Sequence, residues 1–581
     1  MRRLEETLAG LSPGVASFTP GTGAYSPRKG LAIYFLPCDG APLTAPGSVL
    51  GEALAGRSGL GCTMLEGVPA VLPAGAVLAA LYEDLQRLRP DLTADLPVPT
   101  RPDEYVINIG SNAVIVAKNR DGLVFGLQTM AMLVMRHADV AIPGVVIQDY
   151  PECQRRGIAV ELRPGEIGPG LVYQIVSFVT TFKANALDWI LPADFSSSPL
   201  PDLSQVIQVT KSLGVTVTVR LPLLGCILSG EMGLRNAWTQ IRTIARAFGA
   251  TRAALDDPCP DEFSAGAAGR LAASVFDGEF GLDQLEVDAG FIERGGLAEA
   301  VRGNSALVGW RRMNGTEQPE ASAASLPLRL EVAGSFAGLS SYSLDAFSAS
   351  LDSACGWLER RETKDIFVSF RDVGVSHAWQ NLLPAAAIGV IIAWGVPSRA
   401  KAAARAFTEL LYGESAPDIL DLWSVQDRVF PPGIAAAGER RLREIAYGVW
   451  PDAQQDAELL AGIEWQEVVQ NINLTAGKLE NVASGLTRNK TTLAGSYLSL
   501  QLLAWLCRFS ILMPEITRRR RENYDGDGRT EPIANELMKS FGEWRDYLLR
   551  LQEESGLKVV EMDQIIAMGL RVKGLVDGIF E

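Results

Sequence analysis

Gly157-Ile158-Ala159-Val160-Glu161-Leu162 is a short, mostly apolar run, and the fold turns on the fact that it recurs. Ala186 to Leu191, Val215 to Leu221 and Arg252 to Leu255 repeat its β-rich texture, separated by segments of helical length. Strand and helix in alternation make a parallel sheet, because each parallel pair needs a crossover long enough to hold a helix. Ala306 to Trp310, Leu328 to Val332, Ile366 to Phe370 and Ile388 to Trp394 continue the series, while Phe276 to Ala300 carries the weakest pattern. Near eight runs over roughly 240 residues is the strand number and length of a (β/α)8 barrel, so residues 151–400 are expected to close into a barrel, not an open sheet.

Outward from that core the texture changes twice. In residues 1–150, Leu31 to Leu36 reads as a strand, and Tyr105 to Ile109 followed by Ala113 to Ala117 reads as two adjacent strands. Asn119-Arg120-Asp121-Gly122 then opens a helix whose Leu123, Leu127, Met130 and Val134 share one face at the 3.6-residue period. Beyond 400 the strand signals stop. Ile463 to Leu479, the stripe Leu498, Leu502, Trp505, Leu506, Phe509 and Leu512, and Pro532 to Gln552 are helical in pattern. The expected class is α/β: a TIM-like barrel (151–400) preceded by a small α/β domain (1–150) and followed by a helical C-terminal domain (401–581). Trp465, Trp505 and Trp544 read as packing residues of that tail, whose apolar stripes call for cover by the barrel or by a second subunit in a homodimer.

Composition removes several functions. Of 581 residues 47% are hydrophobic and 21% charged, the balance of a globular chain. Fifty-three basic against 68 acidic side chains leave a net charge of −15, which argues against nucleic acid as a partner; Arg518 to Arg521 fits a solvated helix end. Seven scattered cysteines without a C-x-x-C pair read as reduced thiols, and Met1-Arg2-Arg3-Leu4-Glu5-Glu6 has no apolar stretch behind it, so a cytoplasmic location is the expectation. The apolar run Ala385 to Trp394 is far short of the roughly 20 residues of a membrane span, so no membrane partner is expected. Two histidines, His137 and His377, stand outside any zinc motif, and no G-x-S-x-G elbow accompanies them. Gly21-Thr22-Gly23 lacks the third glycine of a dinucleotide fingerprint, there is no P-loop, and Asp525-Gly526-Asp527-Gly528 reads as a turn. No cofactor and no metal are expected.

What remains is carboxylate chemistry. Asp256-Asp257 ends the run Ala253-Ala254-Leu255 just before Pro258, where a barrel strand enters its C-terminal loop and barrel enzymes place their catalytic groups. Adjacent carboxylates resist double ionisation, so one can keep a proton near neutral pH and act as a general acid. The alternative is a loop in which two solvated aspartates cap the next helix.

Several longer motifs carry a family resemblance. Tyr105 through Ile147, with Leu123-Val124-Phe125-Gly126-Leu127-Gln128-Thr129 at its centre and Ile147-Gln148-Asp149-Tyr150-Pro151 after it, resembles the small α/β domain that precedes the barrel in glycoside hydrolase family 20, the β-N-acetylhexosaminidases. Arg156-Gly157-Ile158-Ala159-Val160-Glu161-Leu162-Arg163 is similar to that family's first barrel strand, and Phe182-Lys183-Ala184-Asn185-Ala186-Leu187-Asp188-Trp189 to its second. Arg371-Asp372-Val373-Gly374-Val375-Ser376-His377-Ala378-Trp379-Gln380, then Pro384 and Ala393-Trp394, resembles the barrel's end in one bacterial branch. The resemblance covers roughly residues 100 to 400, with thin support in the middle, and four motifs in the right order are hard to obtain by chance.

The resemblance implies an exo-acting, retaining hydrolase that removes terminal N-acetylhexosamine from a glycan or glycoconjugate. It implies that Asp256 orients the 2-acetamido group, whose oxygen attacks the anomeric carbon, and that Asp257 is the acid/base. An Asp in place of the family's Glu is a departure, although the related glycoside hydrolase family 84 uses two adjacent aspartates. It further implies substrate contacts from Arg163, Trp310, Asp372, His377, Trp379 and Trp394, with barrel core as the competing role for the indoles. Leu221-Pro222-Leu223-Leu224-Gly225 offers no imidazole where the family has one after strand three. A descendant that binds a glycan or serves as a scaffold without hydrolysis is the second reading.

Overall fold

The structure is a computed structural model; it describes most of residues 2–161, 180–191, 203–256 and 265–313, together with 328–333, 344–358, 365–370, 383–395, 400–429, 464–486, 530–555 and isolated positions at 175–176 and 493–508. The N-terminal strands are β1 (Ser17–Tyr25), β2 (Leu31–Phe35), β3 (Cys62–Glu66), β4 (Val77–Leu81), β5 (Tyr105–Ile109), β6 (Ala113–Ala117) and β7 (Ile142–Asp149). They form one mixed sheet in the order β1-β7-β5-β6-β4-β2-β3. β5 and β6 pair antiparallel, Tyr105 opposite Ala117, as the two adjacent runs require. The helix Arg120–Arg136 begins where the polar group predicts, with the Asn119 side chain accepting from the Gly122 N–H at 3.0 Å. Leu123, Leu127, Met130 and Val134 are buried in one core, on one face of the sheet, with Leu50 and Leu54 of the helix Thr44–Ser58. Leu78, Ala80, Val106, Val114 and Val116 fill a second core on the opposite face. Gly21-Thr22-Gly23 lies in β1, at an irregularity in its pairing with β7 where Gly23 takes φ +83°.

The barrel strands are β8 (Arg155–Glu161), β9 (Ala186–Ile190), β10 (Thr216–Leu221), β11 (Arg252–Leu255), β12 (Gln284–Asp288), β13 (Leu307–Met313), β14 (Leu328–Ala333) and β15 (Asp365–Phe370). They close into a barrel in chain order, with β15 beside β8. Two expectations change. β12 falls inside the weak stretch 276–300, and Ile388 to Trp394 is not a strand but the second half of the helix Leu383–Trp394. Residues 385–394 of that helix are buried all round, so no amphipathic period distinguishes them from a buried strand. Gly389 lets the helix lie close on β15, since a Cβ there would sit 2.0 Å from a Val368 methyl.

The N-terminal sheet is tied to the base of the barrel through Asp149. Its carboxylate accepts from the Tyr105 hydroxyl at 2.5 Å, the Lys183 ammonium at 2.8 Å and the Trp394 indole N–H at 3.1 Å. Lys183, fully buried ahead of β9 at φ +65°, has its ammonium pKa pushed down by burial, with Asp149 working against that. Successive strand side chains point to opposite faces, so Arg155 enters the barrel while Arg156 points out of it, its guanidinium stacked 4.9 Å from Phe125 and 4.7 Å from Trp394.

The chain divides into two compact units, residues 1–332 with 351–369 and 387–410, and residues 333–350 and 370–386 with 411–581. The first contains the N-terminal sheet and nearly all of the barrel wall. The second contains the helices Ala416–Val429, Trp465–Gly485 and Thr530–Ser555, and in it the Trp505 indole donates to the Leu537 carbonyl at 3.1 Å and packs on Phe541. Trp544 also packs on Phe541, so both indoles are core, as expected; Arg518 to Arg521 and Asp525 to Gly528 lie outside the described residues. Among the described residues no helix is long and apolar enough to cross a membrane.

Candidate active site at the barrel mouth

A (β/α)8 barrel is ordinarily filled by branched apolar side chains. This one is filled by ions. Arg155 (β8), Arg220 (β10) and Arg329 (β14) meet Asp188 (β9), Glu286 (β12), Glu331 (β14), Asp365 (β15) and Asp256, the residue after β11. The contacts form a ladder along the barrel axis. At the floor, Arg155 lies 3.8 Å from Asp365 and 2.6 Å from Glu286. Glu286 is 2.5 Å from Arg329, which is 2.5 Å from Asp188. Asp188 is 3.7 Å from Arg220, and Arg220 is 2.9 Å from Asp256 at the mouth. Glu331 accepts from Arg220 as a side branch. Phe367 backs the lower rungs, with the Arg329 guanidinium 3.5 Å from its ring centroid.

The electrostatics follow from burial and partners. Burial pushes the Glu286 carboxyl up, but Arg155 and Arg329 overcome it and hold the group at about 2. Asp188 and Asp365 go the other way: burial raises both above the ordinary carboxylate range despite their arginine neighbours. Burial alone would lower the Arg220 guanidinium pKa, yet Glu331, Asp256 and Asp188 together drive it upward, so its charge is firmly held.

At the mouth, Asp256 continues the strand ladder, its N–H donating to the Leu221 carbonyl at 2.9 Å, and its side chain is 11% exposed. Trp310 on β13 reaches across β12 to donate its indole N–H to the Leu255 carbonyl at 3.0 Å. The Arg220 guanidinium lies 4.6 Å from the Trp310 ring centroid. The end of β11 is therefore held twice, by its backbone to Trp310 and by the Asp256 carboxylate to Arg220. Asp288, at the end of β12, accepts from the Gly290 N–H at 2.9 Å, and burial raises its carboxyl pKa.

β11 is the fourth strand of the barrel, so Asp256 directly follows strand four. Trp310 is on the same side, 5% exposed, with its N–H and one face already engaged. Trp394 is a correction. It ends the helix that runs back from β15 toward the barrel's N-terminal face, its carbonyl accepts from Glu152 just ahead of β8, and its indole is bound to Asp149 in the core of the N-terminal sheet. It cannot line a pocket at the opposite, C-terminal face. Asp257, Arg163, Asp372, His377 and Trp379 lie outside the described residues. Arg220, Glu331, Asp188, Glu286 and Arg329 were not singled out from the sequence as site residues. Their signal is a charged residue inside an otherwise apolar run, as in Thr216-Val217-Thr218-Val219-Arg220-Leu221 and Leu328-Arg329-Leu330-Glu331-Val332.

Among the described residues no cluster of histidine, cysteine, aspartate and glutamate is arranged to hold a metal ion. Residues 11–150 match the family model described as Glycosyl hydrolase family 20, domain 2. No curated protein matches the chain in sequence. Among solved structures, the family 84 protein CpGH84D superposes with a TM-score of 0.55 at 12% identity, covering 98% of this chain and 99% of that one. The family 20 β-N-acetylhexosaminidase from Streptomyces coelicolor superposes with a TM-score of 0.50 at 13% identity, over 67% of this chain and 92% of its own. A Streptomyces plicatus β-hexosaminidase in complex with its product GlcNAc gives 0.50 at 14% identity, over 69% and 95%. In sequence, residues 11–150 are thus similar to domain 2 of glycoside hydrolase family 20, and in fold the chain is similar to solved family 84 and family 20 structures.

Proposed function

We propose that the protein is a retaining, exo-acting β-N-acetylhexosaminidase that cleaves terminal N-acetylhexosamine by substrate-assisted catalysis. The observation that carries this reading is the position of Asp256 directly after barrel strand four, with the end of that strand fixed by Trp310 and Arg220; Asp257 is next to it in sequence. Asp256 orients the 2-acetamido group so that its oxygen attacks the anomeric carbon, giving an oxazolinium ion. Asp257 gives its proton to the departing glycosidic oxygen and then takes one from the water that opens the ring. The intramolecular nucleophile explains why no third carboxylate is needed.

The test is hydrolysis of 4-nitrophenyl N-acetyl-β-D-glucosaminide by the full-length chain. Turnover that Asp257→Asn abolishes supports the reading, because an amide cannot deliver the proton; an unchanged rate in that variant removes Asp257 from the mechanism. A thiazoline mimic of the oxazolinium ion should bind more tightly than N-acetylglucosamine, since it resembles the high-energy species. One observation favours the second reading, glycan binding without hydrolysis: Asp256 is already ion-paired to Arg220 at 2.9 Å. Sugar binding with no turnover and no preference for the thiazoline would select it.

A further inference from the structure

We propose that Arg220 is a positioning residue, which fixes the orientation and the negative charge of Asp256, with Glu331 and Trp310 holding Arg220 in place. The catalytic part of this rests on the hexosaminidase reading; the positioning itself does not.

The geometry is specific. Arg220 is fully buried, and its guanidinium links the mouth to the ladder below: one amino group lies 2.9 Å from Asp256 and the other donates to Glu331. A guanidinium is a rigid plane, so the arm that donates to Glu331 fixes the place of the other, which meets Asp256 as an ion pair outside hydrogen-bond geometry. The Trp310 ring, 4.6 Å away, covers one face of that plane, and the same indole clamps the Leu255 carbonyl immediately before Asp256. The contacts that Arg220 and Trp310 make at this strand end are thus joined through their stack, and the Asp256 N–H donates to the Leu221 carbonyl, next in sequence to Arg220. Glu331 is near the end of β14 and Arg220 on β10, so their contact spans the barrel interior, while Asp256 directly follows β11, the hydrogen-bonded neighbour of β10; both contacts are set by strand register.

The charge argument follows from the same contacts. Among the described residues the charged groups facing Arg220 are Asp256, Glu331 and Asp188, with Arg329 3.9 Å from Glu331 as the nearest competing cation. A guanidinium in direct contact favours the ionised form of a carboxyl. An anionic Asp256 can accept from the acetamido N–H and stabilise the positive charge that develops on the oxazolinium ring, whereas a protonated one can do neither well.

The experiment compares the wild type with Arg220→Met, Arg220→Lys and Glu331→Gln as full-length proteins, by crystal structure and by the pH profile of kcat/KM on the aryl N-acetyl-β-glucosaminide. Arg220→Met is expected to let the Asp256 side chain leave its present position, to lower kcat/KM by about a hundredfold, the cost of misplacing a reacting group by about 1 Å, and to move the acid limb of the profile to higher pH. Arg220→Lys keeps a charge but not the fork, so it should restore the acid limb more fully than the rate. Glu331→Gln should give a smaller change of the same sign. An Asp256 position and an acid limb both unchanged in Arg220→Met overturn the proposal; if that variant does not fold, the same result in Arg220→Lys and Glu331→Gln together overturns it. If the wild type neither turns over the substrate nor binds the thiazoline, the hexosaminidase reading falls, and the position of Asp256 in the variant crystals still decides the positioning claim.

Discussion

Replacing Glu286 by Gln tests whether the ionic filling of the barrel behaves as the geometry requires. Glu286 is fully buried between Arg155 at 2.6 Å and Arg329 at 2.5 Å. Its carboxyl is held at about 2 against an ordinary 4.5, which at 1.36 kcal/mol per pH unit amounts to about 3 kcal/mol of stability at neutral pH. Breaking a buried ion pair from one side costs roughly 3–5 kcal/mol by a separate route. The lower end applies, because Glu286 repels Asp188 and its loss relieves that neighbour. The folded pKa lies below the unfolded one, so the contribution is complete above pH 4.5 and drains away as pH falls toward 2. Urea titrations followed by tryptophan fluorescence, with Trp189 and Trp310 buried in the barrel wall as reporters, should show a wild-type advantage of about 3 kcal/mol at pH 7 that shrinks to half or less by pH 3. Asp188 and Asp365 titrate with the opposite sign, since burial raises them, so the wild type's own pH dependence is shallower than the difference between the two proteins. A gap below about 1 kcal/mol at pH 7, or one that does not change with pH, would refute the ladder as a network of buried charges.

Three further outcomes are expected. Gly157→Ala would place a Cβ 2.1 Å from the Ala186 carbonyl oxygen on the neighbouring strand; pushing β8 from β9 should cost about 3 kcal/mol, read as a lowered urea midpoint or as insoluble protein. Trp394→Phe should weaken the fold by about 1.5–3 kcal/mol through loss of the indole bond to the Asp149 carboxylate while leaving the Kd for N-acetylglucosamine unchanged, and a raised Kd would return Trp394 to the sugar site. Lys183→Met should leave Asp149 with its Tyr105 and Trp394 donors but no cation, destabilising the joint between the N-terminal sheet and the barrel by roughly 3 kcal/mol, measurable as faster amide exchange in β5 and β7.

The elements that could be read from sequence are those whose local pattern and tertiary role agree. The Arg120–Arg136 helix shows its cap and its apolar stripe because it packs with one face on a sheet. β5 and β6 show as apolar runs because both of their faces are covered. The two misreadings in the barrel have the opposite cause. Gln284-Leu285-Glu286-Val287-Asp288 alternates polar and apolar, which suggests a strand half in water, but its polar face turns inward onto arginines and its apolar face outward onto helices. Ile388 to Trp394 is apolar on every side because the helix is wholly enclosed, so period could not separate it from a strand. The site was legible to the same extent. Asp256 could be placed because a strand end and a proline bracket it; Arg220 could not, because its importance arises from carboxylates 36 and 111 positions away that only barrel closure brings to it.

Why the barrel should be filled with ions at all is a question of register more than of strength. Replacing buried ion networks by apolar side chains of similar volume is often neutral or stabilising, so the ladder is not explained by stability alone. Apolar side chains tolerate rearrangement; a guanidinium fork does not, because each arm needs an oxygen at a set distance and in its plane. In this barrel the three guanidinium groups draw on carboxylates from β9, β12, β14 and β15 and from the end of β11, and four of the contacts, Arg155–Glu286, Arg220–Glu331, Arg329–Asp188 and Arg329–Glu286, tie together strands that are not hydrogen-bonded neighbours. A slip of one residue in any of these strands would turn its charge out of the barrel and leave a partner buried alone, which is far more costly than a misfitted leucine. The ladder thus discriminates against wrong registers along the whole axis. Its last rung is Asp256, so the register that closes the barrel is also the register that sets the carboxylate at its mouth.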